Sequence, residues 1–282
     1  MDSDNELEQL TVEEPLAPAA PKTNPAAHLS EEVRAALFEY ALRLGDDRLI
    51  LGHRLSEWCG HAPYLEEDIA LANMALDLIG QATAFLELAG RIEGRGRSED
   101  DLAYFREAVE YRNAILLEQP RGDFAYTILR QFFFAAHSFE LCAALERSAL
   151  PDLAALAAKS KKEVRYHLRH AAEWVRRLGG GTPESRTRLQ AALDDQWIFT
   201  AELFDTDPTE KLLADQALTP TSDSFRAGWE KTVLPILAEA GILIPANSPS
   251  ARGGRSGRHS EHLGRLLAEM QIVARSHPGA TW

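Results

Sequence analysis

Apolar positions recur at helical spacing through most of this chain, and no run alternates between apolar and polar residues as a half-buried strand does. The most informative stretch is Leu44 to Gln81. It reads as the end of one helix, a tight turn at Gly60-His61-Ala62-Pro63, and the start of a second, long helix. Pro63 cannot continue a helix and steers the residue before it toward extended backbone. Glu66, Glu67 and Asp68 follow in the first turn, where the helix dipole favours acids. From Ile69 the second helix is apolar nearly all round, through Leu71, Met74, Leu76, Leu78, Ile79, Ala82, Phe85 and Leu86. That pattern predicts a buried central helix. Asn73, Asp77 and Gln81 run along it at i, i+4 and i+8, and polar groups placed in a core need partners.

The flanking segments carry the punctuation of further helices. Ser30 is an N-cap ahead of Glu31 and Glu32, and a first helix runs from there toward Cys59. Its apolar stripe is Leu37, Ala41, Leu44, Leu51, Leu55 and Trp58. Arg48 falls on the same stripe, where a snorkelling arginine or an ion pair with Asp77 or Glu57 is expected. The second helix ends near Gly90. Asp100 to Glu118 predicts another helix, with Leu102, Phe105, Val109 and Leu116 as its apolar face. Asp123 caps the aromatic-rich helix Phe124 to Ser148, and Pro151 opens a fourth bundle helix, closed by Gly179 to Gly181. Less regular helices follow over Glu184 to Phe204, Glu210 to Ala217, Ser222 to Ala240 with Pro235 inside, and His259 to Arg275. The predicted fold class is all-α. A four-helix bundle occupies about residues 31–180 and C-terminal helices about 183–276, in a single domain spanning 30–282. Residues 1–29 read as a disordered acidic, Pro/Ala-rich tail that buries too little apolar surface to offset its ordering entropy.

The 282 residues are 45% apolar and carry a net charge of −13. Such a surface repels phosphate backbones and anionic lipids, so neither nucleic acid nor a membrane is expected as a partner. Cys59 and Cys142 show no CxxC or zinc spacing, which fits a reducing compartment. No apolar run is read as spanning a membrane, and the acidic start lacks the blocks of a signal peptide. These features place the protein in the cytoplasm.

A four-helix bundle with interior polar residues raises one sharp hypothesis, a di-iron carboxylate site. Such a site takes a Glu from each of two helices and Glu-x-x-His from each of the other two. Asp77 is the best acid on the second helix, but Gly80 stands three residues on. His167 lies on an apolar stripe with Ser160, Val164, Ala171 and Trp174, with Val164 in the carboxylate slot. Aligning on Glu163 instead puts Tyr166 in the histidine slot, and the Glu163–His167 spacing predicts a mutual hydrogen bond. His137 and Glu140 run in reversed order near Arg130, and Asp47 and Glu57 have no evident inward position. His167 and Asp77 are therefore expected to be hydrogen-bonded core groups. His259, Glu261 and His262 read as an exposed cluster rather than a zinc site. The basic loop Arg252 to Arg258 is able to meet an anion but matches no phosphate-loop signature.

Four blocks carry a family resemblance: LGDDRLILGHRLSEWCGHAPYLEEDIALANMALDLIGQA, EQPRGDFAYTILRQFFF, EVRYHLRHAAEWVRRLGGGT and HSEHLGRLLAEMQ. They resemble the C subunits of bacterial phenylacetyl-CoA epoxidases, which are multicomponent ring oxygenases, and the likeness runs from Tyr40 to Trp282. The resemblance implies a ferritin-like fold and a chain related to the catalytic A subunit that has lost its di-iron ligands. No catalytic residue carries over, and no cofactor is expected in this chain. It also implies di-iron in the A subunit, a small B subunit, and a reductase with FAD and iron–sulfur centres that draws on NADPH. The implied role is structural, supporting the A subunit while the complex epoxidises phenylacetyl-CoA in aerobic phenylacetate catabolism. Two alternatives stand beside it. One is a di-iron oxygenase or oxidase using Asp77, His137, Glu163 and His167 as atypical ligands. The other is a contribution to CoA-thioester binding at the subunit interface through Arg252, Arg255 and Arg258.

Overall fold

The Ser30 side chain accepts a hydrogen bond from the Val33 N–H at 3.3 Å and starts α1, Glu31–Ser56, with two acids in its first turn. After the turn around Pro63, α2 runs over Leu65–Glu93 and stops at Gly94, which adopts the left-handed conformation (φ 72°) common at helix ends. The computed structural model describes residues 23–246 and 249–280, so most of the expected tail lies outside the described residues. Two short helices, α3 (Glu99–Tyr104) and α4 (Ile115–Glu118), lie in a long crossover to α5, Phe124–Leu145. Asp123 caps α5 by accepting from the Tyr126 N–H at 2.9 Å. Then α6, Pro151–Gly180, completes the bundle.

Two helical hairpins, α1–α2 and α5–α6, joined by one long crossover form an all-α, ferritin-like four-helix bundle. Glycines set the close approach within the first hairpin. A Cβ at Gly45 would fall 2.6 Å from Leu86 Cδ2, and one at Gly52 would fall 3.0 Å from Ile79 Cγ1. Among the described residues four further helices surround the bundle. Against the α5–α6 hairpin pack α7 (Pro183–Thr200) and α9 (Arg226–Glu239), while α8 (Pro208–Asp215) lies on α1 and α10 (Glu261–Ser276) covers the crossover helices. Phe133 of α5 is fully buried between Trp197 of α7 and Trp229 of α9, at ring centroids of 5.9 and 5.8 Å. The Trp229 indole N–H donates to the Phe133 carbonyl at 3.0 Å, so this aromatic core is also hydrogen-bonded.

Four expectations need correction. The segment 100–118 is not one helix. After Phe105 its backbone N–H groups turn to carboxylates elsewhere: Arg112 N–H to Asp46 at 2.8 Å, Ala114 N–H to Asp47 at 2.9 Å, and Ile115 N–H to Glu202 at 2.8 Å. Phe105 and Val109, expected inward, are 44% and 64% exposed as a result. Second, α2 is not buried all round: α1 covers one side, while Leu65, Ile69 and Leu76 face outward. Third, α2 is long and apolar enough to cross a membrane by length and composition, and half of its most apolar stretch is buried inside the bundle. Fourth, the end of the expected tail is packed. Asn24 donates to the Ile92 carbonyl at 3.1 Å, and Ala26 is fully buried.

Candidate functional site

Polar side chains from all four bundle helices converge on Arg48 of α1, which is fully buried. Its Nε donates to Gln81 Oε1 of α2 at 2.9 Å, and Nη2 donates to Ser138 Oγ of α5 at 3.1 Å. Its Nη1 donates to the Leu44 carbonyl at 2.9 Å. Gln81 then passes the connection to α6 by donating to Glu163 Oε2 at 2.7 Å. The guanidinium also lies 4.7 Å from the Phe85 ring centroid. Arg48 therefore pairs with neither Asp77 nor Glu57, because the core beside it offers neutral acceptors to each of its three nitrogens.

This centre does not suit two iron ions. A di-iron pair requires several carboxylates and imidazoles around one point. Here a fixed cation holds an amide and a hydroxyl, with one carboxylate, Glu163, at the edge. Among the described residues no group of three or more His, Cys, Asp or Glu side chains is arranged to hold a metal ion.

The four atypical-ligand candidates separate accordingly. His167 is buried and its Nε2 lies 3.0 Å from Asp77 Oδ2, whose side chain is 38% exposed. Glu163 does not bond His167 despite their helical spacing, because α2 supplies a closer partner to each. One helical turn beyond His167, His170 Nε2 meets Glu67 at 2.9 Å, a pair with no sequence signal beyond the residue types. His137 is buried elsewhere, with its Nε2 at 3.1 Å from the Leu203 carbonyl and its ring against Phe134, Phe204 and Phe225. Burial pulls its pKa down from 6.5 to about 3, so it is neutral at physiological pH.

Buried acids that the sequence left without a role turn out to anchor the crossover. Asp46 is fully buried against Arg106, and Asp47 pairs with Arg255 through two contacts of 2.8 Å. Burial lowers the pKa of both arginines, yet the facing carboxylates outweigh it and hold them above the ordinary value. The basic loop is accordingly a strap. Glu202 accepts from the Gly253 and Gly254 N–H groups at 2.7 Å each, and a Cβ at Gly254 would lie 2.2 Å from the Asn113 carbonyl oxygen. Arg255 is committed to Asp47, Arg252 pairs with Asp205, and Arg258 is exposed beside Gly253. His259, expected on the surface, is turned inward. Its Nδ1 lies 2.7 Å from Glu118 and its Nε2 3.0 Å from the Tyr111 carbonyl. Burial lowers its pKa, but the Glu118 carboxylate outweighs that and the net direction is upward.

Two hairpins, a long crossover and an interior of mutually satisfied polar groups define a ferritin-like helical protein centred on a guanidinium. The family model described as "Phenylacetic acid catabolic protein" matches residues 8–282, and the chain belongs to that family. It is 47% identical over 246 residues to the C subunit of 1,2-phenylacetyl-CoA epoxidase from Escherichia coli (strain K12), a match that covers 87% of this chain and 99% of that protein.

Proposed function

We propose that this chain is the structural, non-catalytic subunit of a cytoplasmic phenylacetyl-CoA epoxidase. In this reading it pairs with and supports a di-iron catalytic A subunit in phenylacetate catabolism. A small B subunit and a reductase carrying FAD and iron–sulfur centres complete the assembly. The observation that carries the reading is the Arg48 centre, where a buried cation, an amide and a hydroxyl occupy the space between the bundle helices with a single carboxylate at the edge. The likeness to the C subunit of the E. coli epoxidase supports the assembly and its substrate. Any contact with the CoA moiety rests on Arg258, because Arg252 and Arg255 already face carboxylates.

Co-expression with the A, B and reductase components tests the proposal. This chain is expected to co-elute with the A subunit, and epoxidation is expected to need both. Turnover by this chain and the reductase alone, or failure to co-elute, contradicts it.

A further inference from the structure

We infer that the outer face of α2, together with the adjoining edge of α6, receives the partner subunit, and that the occupant presents an apolar helix bordered by a row of carboxylates. The inference rests on the subunit reading above and adds the surface and the chemistry of what covers it.

Leu65, Ile69 and Leu76 stand at i, i+4 and i+11 on one face of α2 and are 73%, 53% and 66% exposed. Tyr64, just before the helix, is 63% exposed. Ala72, Gly80 and Thr83 share the face, and a Cβ built at Gly80 meets nothing within 4 Å. A stripe that alternates large apolar and small residues admits a second helix at close range. The opposite side of α2 is already filled by α1, so this face has no use within the described chain.

The adjoining seam with α6 is crossed by a row of polar bridges: Glu67–His170, Asp77–His167, Gln81–Glu163 and Arg91–Asp152. Beside it Lys159, Lys162 and Arg169 stand exposed along one edge of α6, with Tyr166 between them. Among the described residues no carboxylate is bonded to these three bases, and Arg169 lies over the Tyr166 ring at 5.8 Å. In a chain of net charge −13, a row of bases without acids calls for a partner that supplies them. A second copy of this chain would bring a second basic row to the junction. An anionic lipid surface would meet Glu66, Glu67 and Asp68 in the first turn of α2.

The test uses the full chain with the purified di-iron A subunit and titrates binding by light scattering. The double variant Ile69→Glu/Leu76→Glu is expected to raise Kd at least about 100-fold. Its thermal midpoint should stay within about 2 °C of wild type, because both side chains are exposed. Lys162→Glu/Arg169→Glu is expected to raise Kd about tenfold and flatten the salt dependence. Leu243→Glu, at a position 78% exposed elsewhere, should bind as wild type does. Wild-type affinity in the α2 double variant overturns the surface while leaving the subunit reading intact. No binding by the wild-type chain overturns both. A homodimer that the double variant dissolves makes a second copy the occupant. Vesicles of phosphatidylglycerol and phosphatidylcholine that bind wild type but not the variant make it lipid. Either result overturns the inference.

Discussion

The two sides of the bundle spend their polar residues differently. On the α1 side the charges are buried and matched: Asp46 with Arg106, Asp47 with Arg255, and Arg48 with neutral acceptors. Asp46 and Asp47 also capture backbone N–H groups from the crossover, so they decide where the chain goes between the two hairpins. On the α2–α6 side the bridges lie nearer solvent, Leu65, Ile69 and Leu76 are bare, and α6 presents bases that no acid answers among the described residues. Charges that meet inside the bundle fix the path of the chain, whereas the bases left unanswered on α6 are free to meet the carboxylates of another molecule.

The largest expected effect lies on the α1 side. Asp46→Ala leaves the buried Arg106 charge without its carboxylate and the Arg112 N–H without its acceptor, and denaturant unfolding should show a loss of about 3–5 kcal/mol. On the α2–α6 side, His167→Ala should cost about 1–2 kcal/mol, because its partner Asp77 is able to turn to water. A loss there equal to that of Asp46→Ala would erase the distinction between the two sides.

Two histidines give pH dependences of opposite sign. His137 has a folded value near 3 against an ordinary 6.5. Between those values the unfolded chain binds more protons, so stability is full above 6.5 and falls as pH drops toward 3. His259 has a folded value above 6.5, so its contribution is full below 6.5 and is lost as pH rises through the folded value. Denaturant midpoints taken across pH for His259→Gln should lack the fall on the alkaline side that wild type shows. The smallest effect is expected at the exposed Arg252–Asp205 pair, where Arg252→Ala should change stability by less than about 1 kcal/mol.

Local signals in the sequence located most helices well. Ser30, Asp123 and Pro151 start α1, α5 and α6 within a residue of the expected positions. The helices expected over Glu210 to Ala217 and His259 to Arg275 are present as α8 and α10, each starting two residues from the expected position, after Asp207 and Ser260 respectively. Local pattern failed where long-range carboxylates compete for the backbone, as at 112–115, where Asp46, Asp47 and Glu202 take N–H groups that a helix would use internally. The inward position of His167 was legible from its stripe. Its partner was not, because the register between α2 and α6 decides whether Glu163 or Asp77 meets the imidazole. The exposed face of α2 was hidden by its own composition: an apolar helix waiting for a partner and one buried in a core have the same letters.

The most direct test of the account is iron binding by this chain alone. The purified protein is loaded anaerobically with ferrous iron, desalted and counted for metal. Iron is expected at background. About two tightly held irons per chain would require a grouped set of carboxylate and imidazole ligands that the bundle interior lacks among the described residues, and would show that the chain does hold a di-metal centre.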